Sequence, residues 1–133
     1  MMRLKFIFFI MLSLLVSGAN AQSFFNSGSS QEPVIEWEKT MHDFGEVPMG
    51  VPVSFTFKFK NTSLKPVIIQ EVEASCDCTA AEYPKQPIKP GETAKIVATY
   101  KADEKGAFFK SITVTANTKT KQHILKMTGV VVD

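Results

Sequence analysis

The chain has 133 residues, of which 44% are hydrophobic and 21% charged, and 15 Lys plus Arg stand against 13 Asp plus Glu. The excess of two positive charges corresponds to Arg3 and Lys5, and no arginine follows Arg3. Nucleic-acid binding requires clustered cations that neutralise phosphates, so this composition argues against it. The length leaves room for one domain of ordinary size.

Residues 1–21 have the pattern of a secretory signal peptide. Arg3 and Lys5 precede an apolar run over residues 6–16, and small residues follow up to Ala21. An apolar run of about 11 residues is shorter than the roughly 20 that a membrane-spanning helix needs. We therefore expect cleavage after Ala21 and no membrane span in the mature chain. The protein is then predicted to reach the periplasm or the cell surface of a Gram-negative bacterium.

Residues 22–33 predict a flexible linker, because they are rich in Ser, Asn, Gly and Gln and follow neither a helical nor a strand period. Residues 34–133 then form the predicted domain. About 100 residues are enough to bury a modest core, and this stretch contains no internal repeat.

Within the predicted domain the apolar residues recur with a period of two. The pattern is clearest over residues 53–60 and returns over residues 93–101, where Val97 is an apolar exception on the outer face. Lys58 and Lys60 are predicted to lie on the solvated outer face. Turn sequences such as Asn61-Thr62-Ser63 separate the runs, and no ten-residue stretch has a helical period. About seven short strands favour a single all-β, immunoglobulin-like β-sandwich, with a small barrel as the alternative.

Cys76 and Cys78 are the only cysteines of the chain. In an exported protein the two cysteines pair with each other, pair with another chain, bind a metal or stay reduced by burial. If the segment is a strand that begins at Val67, both thiols lie on the core side, together with Ile68, Val72 and Ala74.

Three alternatives stay open for the cysteine pair. Free cysteine is among the most buried residue types, which favours two structural thiols. A disulfide would be strained, because residues two apart in an extended strand lie near the upper limit of bridgeable Cα separation, and a turn or bulge at Asp77 would relieve that strain. Two thiolates can also bind copper(I) or zinc, but His42 and His123 have no metal-ligand spacing from them. We expect no metal and no cofactor.

The sequence carries no motif for catalysis. A Gly-x-Ser-x-Gly nucleophile turn is absent, and His42 and Asp43, as neighbours on a strand, face opposite ways and cannot form a base and its orienting carboxylate. We therefore expect a protein that is not an enzyme.

The motifs as a set resemble an exported bacterial family of unknown function, over about residues 36 to 131. Members of that family are Ig-like and related to the Hydin/ASPM-like and major-sperm-protein/PapD-like domains, and their cysteine motif usually reads Cys-Gly-Cys-Thr. Asp77 stands here in place of that glycine. The resemblance implies a non-catalytic adhesive or scaffolding module and rests on these segments: Asp43-Phe44-Gly45-Glu46-Val47, Gly50, Phe57-Lys58-Phe59-Lys60-Asn61-Thr62, Ser75-Cys76-Asp77-Cys78-Thr79, Pro90-Gly91-Glu92, Gly106 and Asn117.

A β-sandwich has edge strands that can recruit another chain by strand addition. We therefore expect an interaction or scaffold module that binds another protein through an edge strand. The alternative function is thiol redox chemistry or metal handling by Cys76 and Cys78.

Overall fold

The computed structural model describes residues 31–133. The predicted signal peptide and most of the predicted linker lie outside the described residues. No helix in the described part is long and apolar enough to cross a membrane. Between residues 31 and 133 the regular structure consists of eight strands: β1 (Ile35–Trp37), β2 (Met41–Pro48), β3 (Val53–Asn61), β4 (Ile69–Ala74), β5 (Thr79–Glu82), β6 (Thr93–Tyr100), β7 (Gly106–Ala116) and β8 (Gln122–Val132).

The strands form two four-stranded sheets, which we name sheet A (order β1-β3-β6-β5) and sheet B (order β2-β8-β7-β4). All pairs are antiparallel except β2 with β8, which is parallel. This arrangement confirms the predicted immunoglobulin-like sandwich. β1 pairs in sheet A, and the next segment, β2, pairs in sheet B. These two segments are separate strands, so the structure has eight strands where the sequence pattern predicts about seven.

Alternation along β3 and β6 builds the inner face of sheet A. Phe57 and Ile96 are paired across the two strands and have no exposed surface, while Lys58 on the outer face is exposed. Sheet B contributes Ile112 and Leu125, also fully buried and paired. Burying each such side chain stabilises the fold by about 1.5–3 kcal/mol relative to leaving it in water.

In the segment before the cysteines, the predicted inward position of Ile68 is wrong. β4 begins at Ile69, and Ile68 is 42% exposed. A register shift between Ile69 and Glu71 inserts one extra residue, so the inward positions change parity within the strand. Val72 and Ala74 face the core as predicted. The strand then ends at Ala74, before either cysteine.

Gly129 lies at an inward position of β8, opposite Phe108 on β7. A Cβ atom at Gly129 would stand 2.6 Å from Cζ of Phe108 and 2.9 Å from the carbonyl oxygen of Gly45. The absence of a side chain therefore lets the Phe108 ring pack directly over the β8 backbone.

We expect Gly129→Ala to lower the free energy of unfolding by about 1–3 kcal/mol, because the new methyl group overlaps the Phe108 ring and the β2 backbone. Urea denaturation followed by circular dichroism measures the change. Thr128→Ala, on the outer face of the same strand, is the matched control and should shift the unfolding free energy by no more than about 0.5 kcal/mol. Equal effects of the two substitutions would contradict the packing argument.

Candidate functional site

The two cysteines occupy the turn that carries the chain from β4 in sheet B to β5 in sheet A. Cys76 and Cys78 are joined by a disulfide, with their Cα atoms 5.2 Å apart. The turn is closed by the Thr79 N–H, which donates to the Cys76 carbonyl at 3.2 Å. Because the chain turns here, the two side chains approach more closely than in an extended strand.

Both cysteines are half-buried, and Cys78 packs against the core. The Thr79 hydroxyl lies 3.6 Å from Sγ of Cys76, and since a disulfide sulfur carries no hydrogen, the hydroxyl is the donor. Asp77 does not have a positive φ, so this turn does not use the left-handed conformation that glycine favours. Of the three alternatives, the structure therefore has the disulfide.

The cysteine turn also sets the start of β5, the free edge strand of sheet A. The Lys101 N–H donates to the Cys78 carbonyl at 2.9 Å. In an antiparallel ladder this bond places the paired rungs at Cys78, Ala80 and Glu82. The N–H and C=O of Ala81 then point away from β6, toward the open edge.

A shallow groove of about 480 Å³ lies on the outer face of sheet A beside β5. We call it the β5 groove. Its wall on the β5 side is Tyr83 and Pro84, and Lys85 places its ammonium 3.3 Å from the centre of the Tyr83 ring. The complete lining is Lys58, Glu82, Tyr83, Pro84, Thr93, Ala94, Lys95 and Val97.

Two lysines face each other across the floor of the β5 groove. Lys58 on β3 is directly opposite Lys95 on β6, and both are exposed. Within residues 31–133 the structure has one salt bridge, between Lys105 and Asp133, so neither groove lysine is in an ion pair there. Like charges directly opposite each other on a sheet face are destabilising. The groove therefore offers two cations that favour an added anion.

A polar contact between the sheets holds β1 at the opposite edge of sheet A. The Trp37 indole N–H donates to Nδ1 of His123 at 3.2 Å, and Nε2 of His123 lies 2.8 Å from the Thr118 hydroxyl. That hydroxyl donates to the Thr120 carbonyl, so it accepts from His123. An indole nitrogen can only donate. His123 is therefore neutral, with its proton on Nε2.

The remaining histidine has a packing role in the structure. His42 stacks on Phe55, with ring centres 3.9 Å apart and planes at 9°, and so connects β2 of sheet B with β3 of sheet A. No group of three or more His, Cys, Asp or Glu side chains within residues 31–133 is arranged to hold a metal ion.

Sequence reasoning missed the β5 groove, although one signal pointed to it. Val97 was the apolar exception on an otherwise polar outer face, and in the structure it lines the groove beside Glu82, its partner across the β5–β6 ladder. Tyr83 and Pro84 line the groove together with Val97 only because of the register between β5 and β6, and no local sequence pattern specifies that register.

Several solved structures share the fold. A protein of unknown function from Porphyromonas gingivalis has a TM-score of 0.67 and 18% identity, over 76% of this chain and 48% of its own. The ASH/PapD-like domain 7 of human CEP192 has a TM-score of 0.63 and 10% identity, over 77% of this chain and 88% of its own. The VesB protease of Vibrio cholerae has a TM-score of 0.61 and 12% identity, over 75% of this chain and 32% of its own.

This chain thus spans about half the length of the Porphyromonas protein and about a third of the protease. At these identities the likeness shows the fold alone. It defines the class of the molecule as an Ig-like, PapD-like β-sandwich domain. Among curated proteins, none is similar to this chain in sequence.

The chain belongs to the family described as "Protein of unknown function (DUF1573)", whose model matches residues 35–131. That match confirms the resemblance to a family of unknown function with PapD-like relatives. It covers the sandwich from the start of β1 to Val131, one residue before the end of β8.

The neutral state of His123 predicts a pH-dependent stability. Burial lowers the pKa of His123, and hydrogen bonding to the Thr120 backbone offsets part of that effect. The unfolded chain, with a histidine pKa of about 6.5, binds the proton more readily than the folded chain. The stabilisation is therefore complete above about pH 6.5 and decreases as the pH falls through the lowered folded-state pKa.

We expect urea titrations followed by the fluorescence of Trp37, the only tryptophan, to give a lower free energy of unfolding at about pH 5.5 than at about pH 7.5. The matched control is His123→Gln, whose amide can accept from Trp37 without titrating. This variant should lose part of the pH dependence. An unchanged pH dependence in His123→Gln would show that other groups cause it.

Proposed function

We propose that the protein is an exported, non-catalytic binding module that pairs an extended segment of a partner protein with the free edge of β5. The observation that carries the proposal is the conjunction of two features at one edge. The Ala81 backbone groups point outward there, and the β5 groove lies directly beside them. Main-chain hydrogen bonds supply affinity in strand addition, while neighbouring pockets supply side-chain selectivity.

The side chains of β5 favour it over the edge strands of sheet B. β2 and β4 both have a register shift and carry exposed carboxylates at Asp43, Glu46, Glu71 and Glu73. Bulges and charges are the features that protect sheet edges from pairing. β5 pairs with β6 without a shift, and its central residues are two alanines.

β1, the other edge of sheet A, is less suited to pairing than β5. It has three residues, one of which is the exposed Glu36, and Glu38 follows it. Trp37, between the two carboxylates, is held against Phe59 with ring centres 4.9 Å apart. A partner strand at β1 would meet Glu36 and Glu38, whereas one at β5 meets small side chains and a single carboxylate, Glu82, at the end of the strand.

Ala81→Pro tests the edge directly, because proline removes the N–H that points to the partner and leaves the rungs at Ala80 and Glu82 in place. The full-length protein is exported from a bacterium and used to select from a displayed library of random peptides of about eight residues. We expect enriched peptides that shift the backbone amide NMR signals of β5. The Ala81→Pro variant should bind them at least about tenfold more weakly.

The matched control is Glu71→Ala on β4, one of the two edge strands of sheet B. This control should bind the selected peptides as the parent does. Circular dichroism confirms that both variants are folded. Peptides that shift signals of β2 or β4, or bind the proline variant unchanged, would overturn the assignment to β5. A selection that enriches no peptide would overturn the proposed binding function.

A second candidate function, thiol redox chemistry, is favoured by the Cys76–Cys78 disulfide in a half-buried turn. Reduction would add two electrons and two protons to the bond and yield two thiols, with an external dithiol as the electron donor. A structural disulfide resists reduction by the glutathione pool, whereas a redox-active disulfide has a reduction potential in the range where that pool can reduce it.

The exported protein, purified without reductant, should have an intact mass two hydrogen atoms below that of the dithiol form and take up no alkylating agent in denaturant. Equilibration in glutathione redox buffers then measures the reduction potential. A potential near that of known thiol oxidoreductases, roughly −120 to −270 mV, would support redox chemistry. A potential below about −300 mV would leave the disulfide a structural bond. Two alkylated cysteines in the untreated protein would exclude both a redox-active and a structural disulfide.

A further inference from the structure

We infer that the segment bound at β5 is an acidic peptide, which places a carboxylate side chain beside Lys95, the groove lysine on the strand next to β5, and an apolar side chain in the β5 groove. This inference rests on the proposed function and specifies the chemistry of the partner. Three observations carry it: the charges of the floor, the apolar wall, and the position of the groove relative to β5.

The charges on the outer face of sheet A favour an anionic ligand group in the groove. Lys95 has Lys58 as its neighbour on β3, and on its other side the β5–β6 ladder ends at the pair of Glu82 with Val97, so no carboxylate is paired with Lys95. Glu82 is opposite Val97, one rung away. A carboxylate from a partner would relieve the repulsion between the two ammonium groups.

The glutamates on β1 and directly after it do not form ion pairs with Lys58 and Lys95. Glu36 is opposite Lys60, and Glu38 is joined to Lys58 through a backbone hydrogen bond of 3.0 Å, yet neither forms a salt bridge with a groove lysine. Lys85, held over the Tyr83 ring, adds a third cation at the rim, and the lining contains one carboxylate, Glu82. The surface around the groove therefore keeps a surplus of positive charge beside β5.

The walls of the groove specify the second part of the ligand. Tyr83, Pro84, Ala94 and Val97 present apolar surface around a volume of about 480 Å³. Pockets of about 300 Å³ or more hold a ligand group of substantial size. One aliphatic or aromatic side chain of a peptide fits this space, with an acidic residue nearby beside Lys95.

A peptide fits these features better than a small free anion does. The groove lies alongside the outward-facing backbone groups of Ala81, so a chain paired with β5 passes its side chains across the groove. Side chains two residues apart on a strand share a face. An apolar residue and an acidic residue at that spacing would reach the wall and Lys95 together.

The test uses peptides selected from the random library on the full-length exported protein, and on its Lys58→Glu/Lys95→Glu variant. We expect the parent to enrich peptides with Asp or Glu two residues from an apolar side chain. One such peptide should bind the double variant about tenfold more weakly, and the binding to the parent should weaken as salt is raised. The double variant should instead enrich peptides with Lys or Arg.

Lys121→Glu/Lys126→Glu is the matched control, because both lysines are exposed, lie outside the β5 groove and change the net charge equally. This control should retain the affinity of the parent for the acidic peptide. Enriched peptides without acidic residues that still shift the β5 signals would overturn the acidic preference and leave strand addition at β5 intact. A weakening equal to that of the groove variant would mean that net charge, and not the groove, attracts the peptide. The absence of any enriched peptide would overturn both proposals.

Discussion

Phe57 of sheet A and Leu125 of sheet B are fully removed from solvent, and every other feature of the sandwich depends on keeping the space between the sheets dry. Because side chains alternate along a strand, each inward position must be apolar or have its polar atoms hydrogen-bonded. The outward positions are free of that constraint. Lys58 and Lys95 can therefore face each other on the surface at small cost, while their neighbours in sequence build the core.

Asn61 shows how the core accepts a polar side chain. It is fully buried, and its amide group donates to the carbonyls of Lys65 and Ile88 at 2.8 and 2.9 Å. Its side-chain oxygen accepts the N–H of Ser63. These bonds fasten the loops after β3 and before β6 to the end of the sandwich. The Ile88 contact lies four residues beyond Pro84 and so anchors the segment that contributes the wall of the groove.

The parts of the fold that follow from local periodicity were predictable from sequence. The alternation in β3 and β6 identified their inward faces correctly. β4 was not read correctly, because the extra residue between Ile69 and Glu71 changes the parity within the strand. The contact between Trp37 and His123 joins residues 86 positions apart and has no local signature. The β5 groove could not be predicted from sequence for the same reason, because its formation depends on the register of three strands at once.

The two candidate functions meet at the turn between β4 and β5. The Cys78 carbonyl forms the first rung of the β5–β6 ladder with the Lys101 N–H, and the same residue is held by the disulfide. The covalent state of the turn and the alignment of the edge strand are therefore physically connected. A disulfide across so short a segment restricts the backbone at the place where the chain leaves one sheet for the other. It fixes where β5 begins, and with it which backbone groups face the open edge.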